Sequence, residues 1–159
     1  MHESRPMRRK DRTLDKEAAM QILAAANHGT LATVSADGWP YAVPVNHWVE
    51  GESLYLHCAQ VGHKLDNIAH DSRVCYSAVL GGEIDTNKLT TYYESATVFG
   101  QAKLIEDLAE KNRLLQTLVA RFCGECTEKQ REEIERMSKN TSVVRIDIAS
   151  ISGKANRKA

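Results

Sequence analysis

Three strand-length runs separated only by tight turns constrain this chain more than any other feature. Thr30–Ser35 alternates, Ala36-Asp37-Gly38 is a hairpin turn, Pro40–Val49 alternates again, and Glu50-Gly51 turns the chain into Ser53–Ala59. Turns this short leave room only for antiparallel pairing, so the three runs predict a consecutive meander. In the second run Tyr41, Val43 and Val45 share one face, and Ala42, Pro44 and Asn46 the other. Pro40 and Pro44 lack an N–H for a ladder, so this strand is expected to bulge or to lie partly at an edge.

Around the meander the pattern is mixed. Thr13 is positioned to cap a helix over Leu14–Asn27 with an apolar stripe of Ala18, Ala19, Ile22, Leu23 and Ala26. Gly62–Asp71 reads as a short helix and Val74–Leu80 as a strand buried on both faces, with Gly81–Leu89 a polar loop. Thr90–Glu106 is β-rich and interrupted at Gly100 by a bulge. Leu108–Phe122 and Glu128–Lys139 have helical periodicity, the second opened by a Thr127/Gln130 capping box, and Ser142–Ile148 alternates as the last strand. The reading is therefore α+β, mainly β: six antiparallel strands in a small Greek-key or closed barrel with peripheral helices. A single domain over residues 1–159, with tails at 1–13 and 153–159, accounts for the whole pattern.

Composition narrows function. With 42% hydrophobic and 26% charged residues in 159, the chain can bury a real core. Lys plus Arg balance Asp plus Glu, 21 against 21, so no net field recruits nucleic acid or a membrane surface. Basic residues nevertheless gather at both ends, Arg5, Arg8, Arg9, Lys10 and Arg12 at one and Lys154, Arg157 and Lys158 at the other. No apolar run reaches the ~20 residues of a spanning helix, and no secretory leader is visible, so a cytoplasmic protein is expected. Four cysteines then read as thiols: Cys58 and Cys75 as small core residues, and Cys123-Gly124-Glu125-Cys126 as a helix–helix connection. That CxxC follows a helix rather than a strand, and no second ligand pair completes a zinc site, so no metal is expected.

The chemistry concentrates where the third strand ends. Leu54-Tyr55-Leu56-His57-Cys58-Ala59 runs through a turn into Gly62-His63-Lys64, which opens a helix. A helix N-terminus offers free N–H groups and a positive dipole end, Lys64 adds a charge and Gly62 permits close approach. That corner reads either as a phosphate site or as a capped helix with a solvated lysine.

Pro40-Tyr41-Ala42-Val43-Pro44-Val45, the Leu54–Ala59 run with Gly62-His63-Lys64, and Tyr92-Tyr93-Glu94-Ser95 with Phe99-Gly100 occur in an order that resembles the flavin-binding split-barrel proteins related to pyridoxamine 5′-phosphate oxidase. The nitroimidazole-resistance branch is the more similar, through Met7-Arg8-Arg9-Lys10 and the terminal Gly153-Lys154. The resemblance implies a split barrel and a homodimer with FMN in grooves between the subunits. It implies that Val43, Pro44, Val45 and Asn46 lie along the flavin ring and that His57, Cys58 and Ala59 border the ribityl chain and ring. His63 and Lys64 would hold the phosphate, and Ser95 would reach a ring in its own or the partner subunit. His57 is the candidate catalytic residue, as a proton donor, or else a hydrogen-bond partner of the ribityl chain or of a backbone carbonyl.

Departures from the biosynthetic oxidases matter. They carry Arg-Lys where this chain has His63-Lys64, an Arg where it has Val43, a basic residue near Trp48, and a C-terminal arginine-histidine motif that is missing here. Oxidation of pyridoxamine phosphate is therefore disfavoured. The implied activity is FMN-dependent, nitroreductase-like reduction of nitroaromatics such as 5-nitroimidazoles, or of other small planar electrophiles; a non-catalytic flavin- or haem-binding protein and an empty-groove interaction module are the alternatives. A deazaflavin in place of FMN stays open. No GxGxxG is present to hold a nicotinamide. His28 and His70 are expected in solvent, and His47 either at the flavin edge or in water.

Overall fold

The computed structural model describes residues 5–158. In order it holds a 3-10 turn at Lys10–Arg12, β1 Thr13–Leu14, α1 Lys16–Ala25, β2 His28–Val34, β3 Pro40–Glu50, β4 Ser53–Ala59, α2 His63–His70, β5 Arg73–Asp85, β6 Thr90–Leu104, α3 Leu108–Cys123, α4 Glu128–Ser138 and β7 Thr141–Asn156. The sheet is wholly antiparallel, ordered β1-β7-β4-β3-β2-β5-β6, and a β6–β7 ladder returns it on itself. Strands β2 to β7 thus form a ring, and β1 is a seventh strand added at its margin.

Inward residues follow the period of two. Leu31, Leu54, Leu56, Tyr76, Ala78, Ala96, Val98, Val144 and Ile146 fill one core. α1 contributes Ile22, Leu23 and Ala26 from one end, and α2 contributes Leu65 and Ile68 from the other. The ends are fixed by polar bonds: the Leu23 carbonyl meets His47 near the close of β3, and Asn67 Nδ2 donates to Thr33 Oγ1, 2.9 Å away, near the close of β2. Gly29 and Gly153 are glycines for space. A Cβ on Gly29 would sit 2.6 Å from the Tyr76 hydroxyl, and one on Gly153 2.8 Å from Ala19 Cβ, where α1 rests on β7. A second, smaller core lies outside the ring, where α3 and α4 cover Trp48, Tyr55 and Val143 with Leu114, Leu115, Leu118 and Ile134. Trp48 and Tyr55 stack there at 5.5 Å.

Several expectations are corrected. The first helix begins at Lys16 because Asp15, not Thr13, accepts the Ala18 N–H; Thr13 and Leu14 pair instead with Lys154 and Gly153. This raises the strand number to seven rather than six. Of the expected tails, Thr13 and residues 153–156 belong to the sheet, since β1 starts at Thr13 and β7 runs on to Asn156; residues 1–4 and 159 lie outside the described part. Gly81–Leu89 is mostly strand, because β5 pairs with β6 as far as Asp85, through a register shift between Gly81 and Glu83. Val74–Leu80 is buried on one face only: Val74, Tyr76 and Ala78 point in, while Val79 is 54% exposed because no helix covers that outer face. The bulge at Gly100 is present, as a register shift between Phe99 and Gly100, and so is the Thr127/Gln130 capping box. Among the described residues no helix is long and apolar enough to cross a membrane.

Candidate functional site

The ladder between β3 and β4 is incomplete. It joins His47–Glu50 to Ser53–Leu56 and stops. The first half of β3 pairs with β2 alone, and residues 57–59 of β4 pair with β7 alone. Pro40 and Pro44 lie in the unpaired half of β3, where a missing N–H costs the β4 side nothing. The resulting gap is bordered by Pro44 and Asn46 on one side, and by His57 and Ala59 on the other. α2 starts directly beyond its end.

At that start Gly62 takes φ 139°, a region closed to most side chains, and no side chain caps the helix. The Leu65 N–H donates to the Gly62 carbonyl at 2.8 Å, and the His63 and Lys64 N–H groups have no partner among the described residues. His63 is pinned from a turn and a strand: Ser35 Oγ, just past β2, lies 2.8 Å from its Nε2, and the Tyr41 ring of β3 lies 4.2 Å from its own, centroid to centroid. An uncapped turn, a cation and a fixed imidazole suit a phosphate group.

The ten residues singled out from sequence divide by face. Pro44, Asn46, His57 and Ala59 point outward beside the gap, with His63 and Lys64 at its end. Val43, Val45 and Cys58 are half-buried and pack their side chains on the main core, leaving only backbone toward the gap. Burial pushes the Cys58 thiol up, with Lys64 opposing weakly, which keeps it a protonated packing residue. His57 is open to solvent, yet lost hydration holds its imidazole below the ordinary histidine value, so it stays neutral near pH 7. Ser95 lies elsewhere in the chain. It is on β6, three ladders and about 14 Å along the sheet from β3, with its Oγ donating to the Lys154 carbonyl.

Between β3 and β6 the outer face is a strip of small side chains. Pro44 pairs with Thr30, Thr30 with Ser77, and Ser77 with Thr97; Ala42, Ala32 and Cys75 form the next row. Cys75 is thus a half-buried residue of this bare face and not of the core. A cleft of about 620 Å³ opens instead near the Gly100 bulge, lined by Arg73, Phe99, Gln101 and Asp147. The strip itself is flat, so only a second surface would enclose a ligand against it.

Sequence reasoning left His47 in the wrong place. It is fully buried, with Nε2 2.7 Å from the Leu23 carbonyl and Nδ1 2.7 Å from the Tyr76 hydroxyl. The carbonyl can only accept, so Nε2 carries the proton and Nδ1 accepts from Tyr76. Burial lowers its pKa and keeps it neutral. The signal was its parity with Tyr41, Val43 and Val45. His28 and His70 are exposed, as expected. Cys123 ends α3 in solvent and Cys126 donates its S–H to the Gln116 carbonyl; among the described residues no cluster could hold a metal.

Solved structures share this fold. A candidate 5-nitroimidazole antibiotic resistance protein from Bacteroides thetaiotaomicron superimposes with a TM-score of 0.76 at 24% identity, covering 89% of this chain and 85% of that one. A conserved hypothetical protein from Mycobacterium tuberculosis gives 0.81 at 20% identity, covering 94% and 90%. The flavocytochrome Anf3 from Azotobacter vinelandii gives 0.76 at 22% identity, covering 96% and 73%. No curated protein matches. The family model for pyridoxamine 5′-phosphate oxidase matches residues 15–155, from the cap of α1 to the penultimate residue of β7, and the chain belongs to that family.

Proposed function

We propose that this protein binds FMN as a homodimer and reduces small planar electrophiles, with 5-nitroimidazole-like nitroaromatics as the substrate class. The observation that carries the reading is the uncapped first turn of α2, with Lys64 and the pinned His63, set at the end of the gap between β3 and β4. A phosphate at that turn directs the rest of the cofactor along Pro44 and Asn46. The strip from Ala42 and Pro44 to Thr30, Ala32 and Ser77 has no bulky outward side chain and accepts a flat ring. A second subunit laid on this strip excludes water, and offers its own Ser95 to the ring across the interface.

When bound, flavin supplies the electrons that the side chains of this chain cannot. His57, outward at the gap and neutral, is placed to hold or release one proton at an imidazole nitrogen beside a reducible group. Pyridoxamine phosphate oxidation is a poor fit because Val43 packs inward and Trp48 is buried under α3, so neither region presents a cation.

The similarity to a flavocytochrome keeps one further reading in play, cofactor binding without turnover. Anaerobic stopped-flow separates the two. Photoreduced FMN-loaded protein mixed with metronidazole is expected to reoxidise faster than free reduced FMN; a rate equal to free flavin would leave only binding.

A further inference from the structure

The two basic ends of the chain meet. β1 sets Thr13 opposite Lys154, and β6 sets Ser95 opposite Lys154 and Tyr93 opposite Asn156. This register gathers three side chains from three elements: Arg12 from the 3-10 turn, Tyr93 from β6 and Lys154 from β7. The Lys154 Nζ lies 5.7 Å from the centre of the Tyr93 ring. Lys154 chiefly, with Arg12 adding to it and desolvation opposing, draws the phenol below its ordinary proton affinity.

Three neighbouring cations are neutralised. Arg9 pairs with Asp11, Arg157 with Glu94 and Lys158 with Glu83. Among the described residues Arg12 and Lys154 form no such pair, although both are half-buried. Beside the cluster, Tyr93 also lines a cleft of about 280 Å³ with Leu80, Gly81, Tyr92, Asn156 and the paired Glu83–Lys158 and Glu94–Arg157, large enough for one small ring. Ser95 and Thr97 lead from this cluster along the same outer face to Ser77 and Thr30.

We propose that Arg12, Tyr93 and Lys154 form an oxyanion subsite that selects a carboxylate-bearing planar electrophile over a neutral one of the same shape. The carboxylate accepts from the Lys154 ammonium, the Arg12 guanidinium and the Tyr93 hydroxyl. The reduction of the selected molecule rests on the function proposed above, whereas the anion site stands without flavin.

Calorimetric titration with 4-nitrobenzoate and with the neutral 4-nitrobenzyl alcohol tests it, on flavin-loaded and flavin-free protein. The carboxylate is expected to bind at least about tenfold more tightly, with the difference lost at high salt. Lys154→Gln and, separately, Arg12→Gln are expected to erase most of that difference and leave the alcohol unchanged. Arg12 lies outside the ring, so its variant reports even where a change at Lys154 disturbs β7. Tyr93→Phe should remove a smaller part. Equal binding of the two probes, or a preference that both glutamine variants retain, overturns the subsite. Charge selection that persists in a protein taking up no flavin would sink the oxidoreductase reading alone. Nitro reduction with no charge preference would sink the subsite alone.

Discussion

Tyr41 and His63, one at the start of β3 and the other opening α2, hold their rings 4.2 Å apart at 37°, with Ser35 Oγ on the far imidazole nitrogen. The turn after β2 and the start of β3 thereby set the orientation of the first residue of a helix that no side chain caps. Ser35→Ala and Tyr41→Leu should each release the imidazole without opening the core. The expected result is FMN binding weakened several-fold in fluorescence titration, with an unchanged far-UV spectrum.

Lys64 contributes charge rather than packing at the same turn. Lys64→Ala is expected to weaken FMN by at least about tenfold, the scale of one charge-assisted contact, and to leave riboflavin affinity unaltered because riboflavin has no phosphate. Parallel titrations with the two ligands check this.

His47 gives the fold an acid sensitivity. Burial lowers its pKa in the folded state below the unfolded value of about 6.5, so below that pH the unfolded chain binds the extra proton. Stability from this residue is complete above about pH 6.5 and declines as pH falls from there toward the folded pKa. His57, lowered by the same cause, adds to the slope. Urea midpoints between neutral and mildly acidic pH should fall less steeply in His47→Gln, although that variant is less stable throughout.

Gly29→Ala forces a methyl against the Tyr76 hydroxyl and the Ser77 carbonyl, which would lie 2.6 and 2.5 Å away. Neither can retreat, since Tyr76 is fully buried and Ser77 belongs to the β2–β5 ladder. A loss of about 1–3 kcal/mol is expected in denaturant unfolding.

The meander and its faces were legible because Asp37-Gly38 and Glu50-Gly51 are strong turn signals and because Tyr41, Val43 and Val45 alternate cleanly with Ala42, Pro44 and Asn46. The same parity carries on to His47, yet an ionisable side chain was not read as core; the Leu23 carbonyl, brought from α1, and the Tyr76 hydroxyl of β5 together make its burial tolerable. The prolines announced a partial edge but not its partner: the gap arises because β4 leaves β3 at Leu56 and continues along β7. Gly81–Asp85 reads as a loop by composition, and pairing with β6 overrides that local preference. The seventh strand was hidden because two residues carry no periodicity, and Thr13-Leu14 pairs with a segment 140 positions away.

The proposed function stands on a flavin phosphate held at the turn opening α2. The most direct measurement is equilibrium titration of flavin-free protein with FMN and with riboflavin, followed by quenching of flavin fluorescence. FMN is expected to saturate at micromolar concentration or below, with riboflavin at least about tenfold weaker. Equal affinity for the two, or no quenching by either, would rule out a phosphate site at that turn.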